Sequence, residues 1–284
     1  MRKLLPFFLL LLLIAAWAVF FDRATDHFIF EPSRQIYSLQ TPFEEVSFPA
    51  KDETPLYALY HKADPGKPTL LFFHGNKYNI YSFQDFALPY TQKGYGLFIF
   101  DYRGYGKSAG RATETHMYED AESALFYLTL KQNVHPKDIV LWGVALGASP
   151  ALYVAAHYNK LPFLGVILQS PFTNITEMGF YMLAQKYDET PAATILPLFL
   201  KPILWNKDFN NTQMIENVRA PLLIGASQMD RTIPWTMSRA LAVKAPAGTR
   251  KFFPSLGAHH NPEWMEEEAL AFLNQLETKT PDAR

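Results

Sequence analysis

From residue 43 onward one pattern dominates the chain. Short, mostly apolar runs recur ("FEEVSF", "PLYALYH", "TLLFF", "GLFIF", "DIVLW", "GVILQ", "PLLIGA" and "KFFPS"), and amphipathic stretches separate most of the later ones. Runs of this length read as strands, and apolar residues at helical spacing over 114–131, 147–158, 235–245 and 262–277 read as helices. Strands alternating with helices of ten or more residues imply βαβ units, hence an α/β fold around a mostly parallel sheet with helices on both faces. The first two runs have no helix between them and are expected to pair as an antiparallel hairpin.

The alternation breaks once, between "GVILQ" and "PLLIGA". The segment there contains "MGFYMLAQKYDETPAATILPLFLKPILW", and Pro191, Pro197 and Pro202 forbid one continuous helix. It reads as a small helical cap insertion, about residues 174–212, over the carboxyl edge of the sheet, where open α/β folds place their sites. Its Phe, Leu, Met and Trp side chains either line an acyl-shaped pocket or simply pack the insertion down. Both readings stand at this stage.

Composition removes several function classes. A chain of 284 residues, 49% hydrophobic and 15% aromatic, has enough apolar material for a sizeable core. A formal charge of −1, with no run of basic residues beyond isolated pairs, gives no electrostatic footprint for nucleic acid. The absence of cysteine excludes disulfides, thiolate metal sites and a cysteine nucleophile. No HExxH motif occurs and His259–His260 lacks helical ligand spacing, so neither a metal nor another cofactor is expected. Oligomeric state leaves no sequence signal.

At the amino end, Leu4 to Phe21 form 18 consecutive apolar residues after Arg2 and Lys3. That length reaches the lower edge for spanning a bilayer, where about 17–25 residues are needed. Residues 1–23 therefore read as a membrane anchor or signal segment, with 24–284 as the main domain. Arg2 and Lys3 leave the amino terminus cytoplasmic and the domain on the non-cytoplasmic side. Cleavage near Ala16 and Ala18 is the competing reading and would release a secreted protein.

The chemistry-bearing motifs lie after strand ends. In "LWGVALGASP", Gly143-Val144-Ala145-Leu146-Gly147 follows an apolar strand and opens a helix, the pattern of a nucleophile elbow with Ala145 at the nucleophile position. "SQMDRTIP" puts Asp230 in the loop after "PLLIGA", and "LGAHHNPEW" puts His259 and His260 in the next one. The order nucleophile position, acid, histidine suits a base that reaches the elbow while a carboxylate fixes its tautomer. "TLLFFHGNKYNI" ends a strand with His74, Gly75 and Asn76. A backbone N–H there and that of Leu146 could form a two-donor oxyanion hole. Ser149 and Ser170 are the nearest substitute hydroxyls, but one sits a helical turn on and the other at a strand end without elbow geometry. "NIT" at Asn174 and "NNT" at Asn210 match glycosylation acceptors.

With "FFHGN", "DYRGYGKSAG", "GVALG", "LQSPFTN", "GASQMDRTIP" and "GAHHNPEW" in order, the chain resembles the α/β-hydrolase superfamily. Within it the resemblance is to the membrane-anchored serine hydrolases related to the Bem46 and ABHD-type proteins. The resemblance implies an eight-stranded α/β-hydrolase fold and chemistry on carboxylic esters or other acyl compounds. It implies Asp230 as orienting acid and His260 as general base, with His259 second, and Asn76 and Leu146 as oxyanion-hole donors. Asp101 and Arg103 would fix the loop beside the site. Ala145 departs from the family's serine: a methyl group cannot attack a carbonyl. Two readings follow: a serine-hydrolase scaffold hampered at its nucleophile, or a non-catalytic, membrane-tethered pseudo-hydrolase that holds an apolar, acyl or lipid-like ligand.

Overall fold

The apolar runs bury on both faces, and that decides the architecture. The strands Thr69–Phe73 (β3), Gly96–Phe100 (β4), Gly165–Gln169 (β6) and Leu222–Gly225 (β7) are buried at every residue, and Ile139–Val144 (β5) at all but the last. Such strands need helices above and below, the arrangement of a parallel sheet. The structure, a computed structural model, describes residues 5–187, 204, 207–257, 259 and 263–279. Among these, the main sheet has eight strands. Glu44–Pro49 (β1), Pro55–His61 (β2) and Arg250–Phe252 (β8) complete it, in the order β8-β7-β6-β5-β3-β4-β2-β1. β3 to β8 pair in parallel, while β2 runs antiparallel to both β1 and β4.

Two apolar layers flank this sheet. One packs Met117, Ala121 and Leu125 of Glu114–Phe126 (α3), Leu152 of Ala148–His157 (α4) and Leu241 of Trp235–Lys244 (α7) against Leu71, Phe98 and Leu141. The other packs Tyr90 of Gln84–Thr91 (α2) and Met265, Ala269 and Leu273 of Glu263–Lys279 (α8) against Phe72, Ile99 and Trp142. Four of these helices follow the sequence reading closely, although the stretch expected to be helical to residue 131 changes to π winding over Tyr127–Lys131. α2 escaped it, being only 8 residues long with Pro89 inside. The expected insertion begins with Ile175–Tyr187 (α5) and ends in Asn211–Ile215 (α6). Pro191, Pro197 and Pro202 lie outside the described residues. Asn174 and Asn210 cap helices here: their side-chain oxygens accept from the Glu177 and Gln213 amides at 2.8 and 3.0 Å.

At the amino end, Leu5–Ile29 is a single helix (α1). The side chains of residues 5–11, 13–15, 18 and 21, within the expected anchor, are outside the described set. No helix among the described residues is long and apolar enough to cross a membrane. Beyond α1, Glu31–Pro32 pairs in parallel with Lys77–Tyr78 and ties the chain to the loop after β3.

Between β4 and α3, a charged loop is pinned from below. Asp101 accepts the Ile80 amide at 2.9 Å and lies 3.5 Å from His74 Nε2, both side chains being fully buried. Arg103, also buried, pairs with Asp120 at 3.0 Å and with Glu119 and Asp52 at 3.2 Å. Burial pushes the Asp120 carboxyl up to about 7, against the pull of the Arg103 amide and guanidinium. Asp101 thus holds the loop of residues 74–80, while Arg103 ties its own loop to α3 and to Asp52.

The bend from β5 into α4 brings backbone against backbone with no room for a side chain. A Cβ on Gly147 would lie 2.1 Å from the Phe73 carbonyl oxygen, and one on Gly143 would lie 2.5 Å from the Gly147 carbonyl oxygen. Backbone atoms cannot rotate away as a side chain can. Gly147→Ala is therefore expected to destabilise by about 2–3 kcal/mol, the upper part of the range for overpacking. Urea unfolding checks this, and a loss under about 0.5 kcal/mol, the size of an ordinary surface change, would contradict it.

Candidate active site

Ala145 begins the short turn Ala145–Gly147 that separates β5 from α4. Its φ is +52°, in the left-handed region. A non-glycine residue held there stores about 1–3 kcal/mol, which persists only where the surroundings over-determine it. Gly143 and Gly147 do so, by letting β3, β5 and α4 approach with no side chain between them. Ala145 is almost wholly buried, yet it lines two cavities that meet over the sheet's carboxyl edge. Ser149 is fully buried within α4, and Ser170 directly follows β6 with its amide donating to the Gly225 carbonyl at 2.7 Å. Neither lines these cavities.

The loop after β7 is built to hold a carboxylate. Asp230 Oδ1 accepts the amides of Thr232 and Ile233 at 2.8 and 2.9 Å, leading into α7. Its Oδ2 lies 2.7 Å from His259 Nδ1. Burial pushes the Asp230 carboxyl up, but the His259 hydrogen bond and charge, with the two amides, outweigh it and hold the group below its ordinary value. His260, preferred from sequence, lies outside the described residues; the histidine seated on Asp230 is His259.

The two loops are stitched together by residues that the sequence reading missed. Ser227 Oγ donates to the Gly257 carbonyl at 2.7 Å and accepts the Met229 amide at 3.0 Å. Gln228 donates from its amide to the Pro254 carbonyl at 2.8 Å and from Nε2 to the Phe253 carbonyl at 2.7 Å. The stretch preceding His259 thus hangs from the stretch preceding Asp230. The signal was present in "GASQMD", two hydrogen-bonding side chains directly ahead of the acid, but strand periodicity does not report it.

Asn76 and Leu146 both border the larger cavity beside Ala145. The Asn76 carbonyl is engaged by the Tyr105 hydroxyl at 2.8 Å and the Glu31 amide at 3.1 Å, which fixes the orientation of the Asn76–Lys77 peptide. Leu146 lies in the first turn entering α4, where a helix leaves amides without intrahelical acceptors. A Cβ on Gly75 would come 3.6 Å from that of Ala145, so the loop after β3 and the elbow are in contact.

The larger cavity has a volume of about 400 Å³ and an apolar wall from α5 (Ile175, Met178, Met182) and Leu204. The smaller, about 90 Å³, is bounded by Phe72, Phe83, Phe86 and Gln169. Ala145, Asn76, Lys77 and His259 border both. Among the described residues no cluster of three or more ligating side chains could hold a metal ion.

A strained strand-to-helix bend amid a mostly parallel eight-stranded sheet, followed by an acid loop after β7 and a histidine loop after β8, defines an α/β-hydrolase fold. A likeness to solved structures agrees: the esterase of Pyrococcus furiosus superposes with a TM-score of 0.68 at 14% identity, covering 88% of this chain and 98% of that one. The chain belongs to the serine aminopeptidase S33 family of hydrolases, whose family model matches residues 64–210. That match contains the elbow and ends before Asp230. Similarity beyond that match extends to the uncharacterized protein YfhR of Escherichia coli, 27% identical over 267 residues, 91% of this chain and 88% of that one. The human alpha/beta hydrolase domain-containing protein 17B is 27% identical over 211 residues, 74% of this chain and 66% of its own.

Because the folded Asp230 carboxyl titrates below its unfolded value of about 3.9, its ionised form stabilises the fold at neutral pH. This contribution disappears as pH falls through the folded value. Asp230→Asn is therefore expected to lower the melting temperature at about pH 7, by the equivalent of about 1–3 kcal/mol for hydrogen bonds to a charge, and by much less near pH 3. Equal losses at both pH values, measured by calorimetry, would contradict this account of the loop.

Proposed function

We propose that the chain is a membrane-tethered serine-hydrolase scaffold that takes carboxylic esters or other acyl compounds into the cleft above Ala145. As it stands it holds this ligand without a hydroxyl to attack it. The observation that carries the reading is the convergence of the positive-φ elbow and the Asp230-bound His259 on the same two cavities.

In this reading, Asp230 on Nδ1 keeps the imidazole proton on that nitrogen and leaves Nε2 as the basic one. A hydroxyl on residue 145 would give its proton to Nε2 as its oxygen attacked the acyl carbon. The Asn76 and Leu146 amides would stabilise the resulting oxyanion. The acyl portion would occupy the larger, apolar cavity and the leaving alcohol the smaller one. With a methyl at 145 no acyl-enzyme forms. In a related triad, loss of the nucleophile lowers turnover about 10⁶-fold and leaves about 10³–10⁴ over water.

Tethering is supported by the 18 apolar residues after Arg2 and Lys3 and by the outward-facing Leu12, Trp17, Val19 and Phe20 on α1. In this reading the positive charges of Arg2 and Lys3 favour a cytoplasmic amino terminus, with the domain on the non-cytoplasmic side.

Ala145→Ser is expected to raise kcat/KM on p-nitrophenyl esters by at least about 10³-fold, since it supplies the one missing group. A folded Ala145→Ser protein inert to both short and long acyl esters would overturn the catalytic part of the reading. Rapid ester hydrolysis by the unmodified chain would overturn the ligand-holding part.

A further inference from the structure

One wall of the larger cavity belongs to neither the sheet nor the insertion. Ala24, Thr25, Phe28 and Ile29, from the last two turns of α1, line the cavity together with Met178 and Leu204. This turn is locked in place. Asp26, nearly inaccessible, lies 3.0 Å from both Lys207 Nζ and Arg111 Nη1, and Asp22 lies 2.6 Å from the same lysine. Lys207 is itself buried, and it sits at the return from the insertion, three residues beyond Leu204. The cluster thus couples the amino-terminal helix to the insertion's base and to the loop carrying Arg111.

Two further contacts tie the helix end to the site. The Ile29 carbonyl accepts Asn76 Nδ2 at 3.4 Å, and the Phe30 ring meets that of Phe209 at 6.2 Å. The helix carrying this wall is continuous back to Leu5, through the apolar run. The lining also carries polar groups, with Glu31 and Lys77 paired at 3.4 Å and half exposed.

We propose that the end of α1 is an acyl-chain-binding wall of the cavity, and that the ligand is a membrane amphiphile. Its single acyl chain lies between α1 and α5, and its polar head sits near Glu31 and Lys77. This rests on the reading of the cavity as the acyl site and extends it by naming the ligand class and the helix that selects it. Phe20, Ala24 and Phe28 follow one another at four-residue spacing along α1, past Asp22 and Arg23, so one strip of the helix leads from the apolar run to the cavity. Volume supports the class: about 400 Å³ falls in the range of drug-sized ligand sites, and the bounding side chains are mostly apolar.

The test uses the full chain in phosphatidylcholine nanodiscs, a photoreactive diazirine derivative of palmitic acid, and peptide mapping after illumination. Labelling is expected on residues 24–29 of α1 together with residues 175–182 of α5. Ala24→Trp, which fills the space beside Phe28, is expected to lower labelling of 175–182 at least fivefold, while Ala24→Ser keeps it. Circular dichroism establishes that both variants are folded, and Phe28→Trp repeats the blockade from another position. Labelling of α5 that is absent in the native chain, or insensitive to both tryptophan substitutions, would overturn the proposal. Ester hydrolysis by Ala145→Ser would persist in that event, so the two failures are distinguishable.

Discussion

The site depends on one backbone constraint: β5 must turn into α4 within three residues while β3 lies against the turn. Only glycine at 143 and 147 permits that approach, and the residue between them is forced to a φ of +52°. A residue so held projects over the carboxyl edge of the sheet, at the amino end of a helix. The conformation costs free energy that the surrounding packing offsets, and it is present even though position 145 carries only a methyl group. Geometry for an attacking atom is thus retained where the atom itself is lacking.

The rest of the cleft is arranged around this bend by hydrogen bonds that join neighbouring loops. Asp101, Tyr102 and Tyr105 hold the peptides of His74 to Ile80, with Tyr102 donating to the His74 carbonyl at 3.1 Å. Ser227 and Gln228 bind the loop after β8 to the loop after β7. His259 is then held by Asp230, whose carboxylate is itself fixed by two amides. Each contact is modest alone, about 0.5–1.5 kcal/mol net for a typical hydrogen bond. Their joint effect is to fix direction, which a proton-transfer site needs more than it needs affinity.

Much of this was legible in the sequence because periodicity and turn chemistry are local. All eight apolar runs form strands, and Gly143 and Gly147 mark the bend, since only tiny residues fit there. Asp230 falls in the expected loop because a strand end and a helix start bracket it. What periodicity could not reveal was long-range. The choice between adjacent histidines turns on which ring meets a carboxylate 29 residues away. The Asp22–Asp26–Lys207–Arg111 cluster joins segments up to 185 residues apart, and no spacing rule reports it. Nor could sequence show that the helix continuing from the apolar amino-terminal run ends as a wall of the cavity.

The central claim is that the elbow, His259 and Asp230 act as one unit. The most direct measurement is the rate of phosphonylation by a fluorophosphonate probe in Ala145→Ser, alone and combined with His259→Ala or His260→Ala. The account predicts rapid labelling of the single variant, slowed by about 10²–10⁴-fold when the positioned base at 259 is removed and largely kept when 260 is changed. Labelling that survives His259→Ala but is lost with His260→Ala would contradict it.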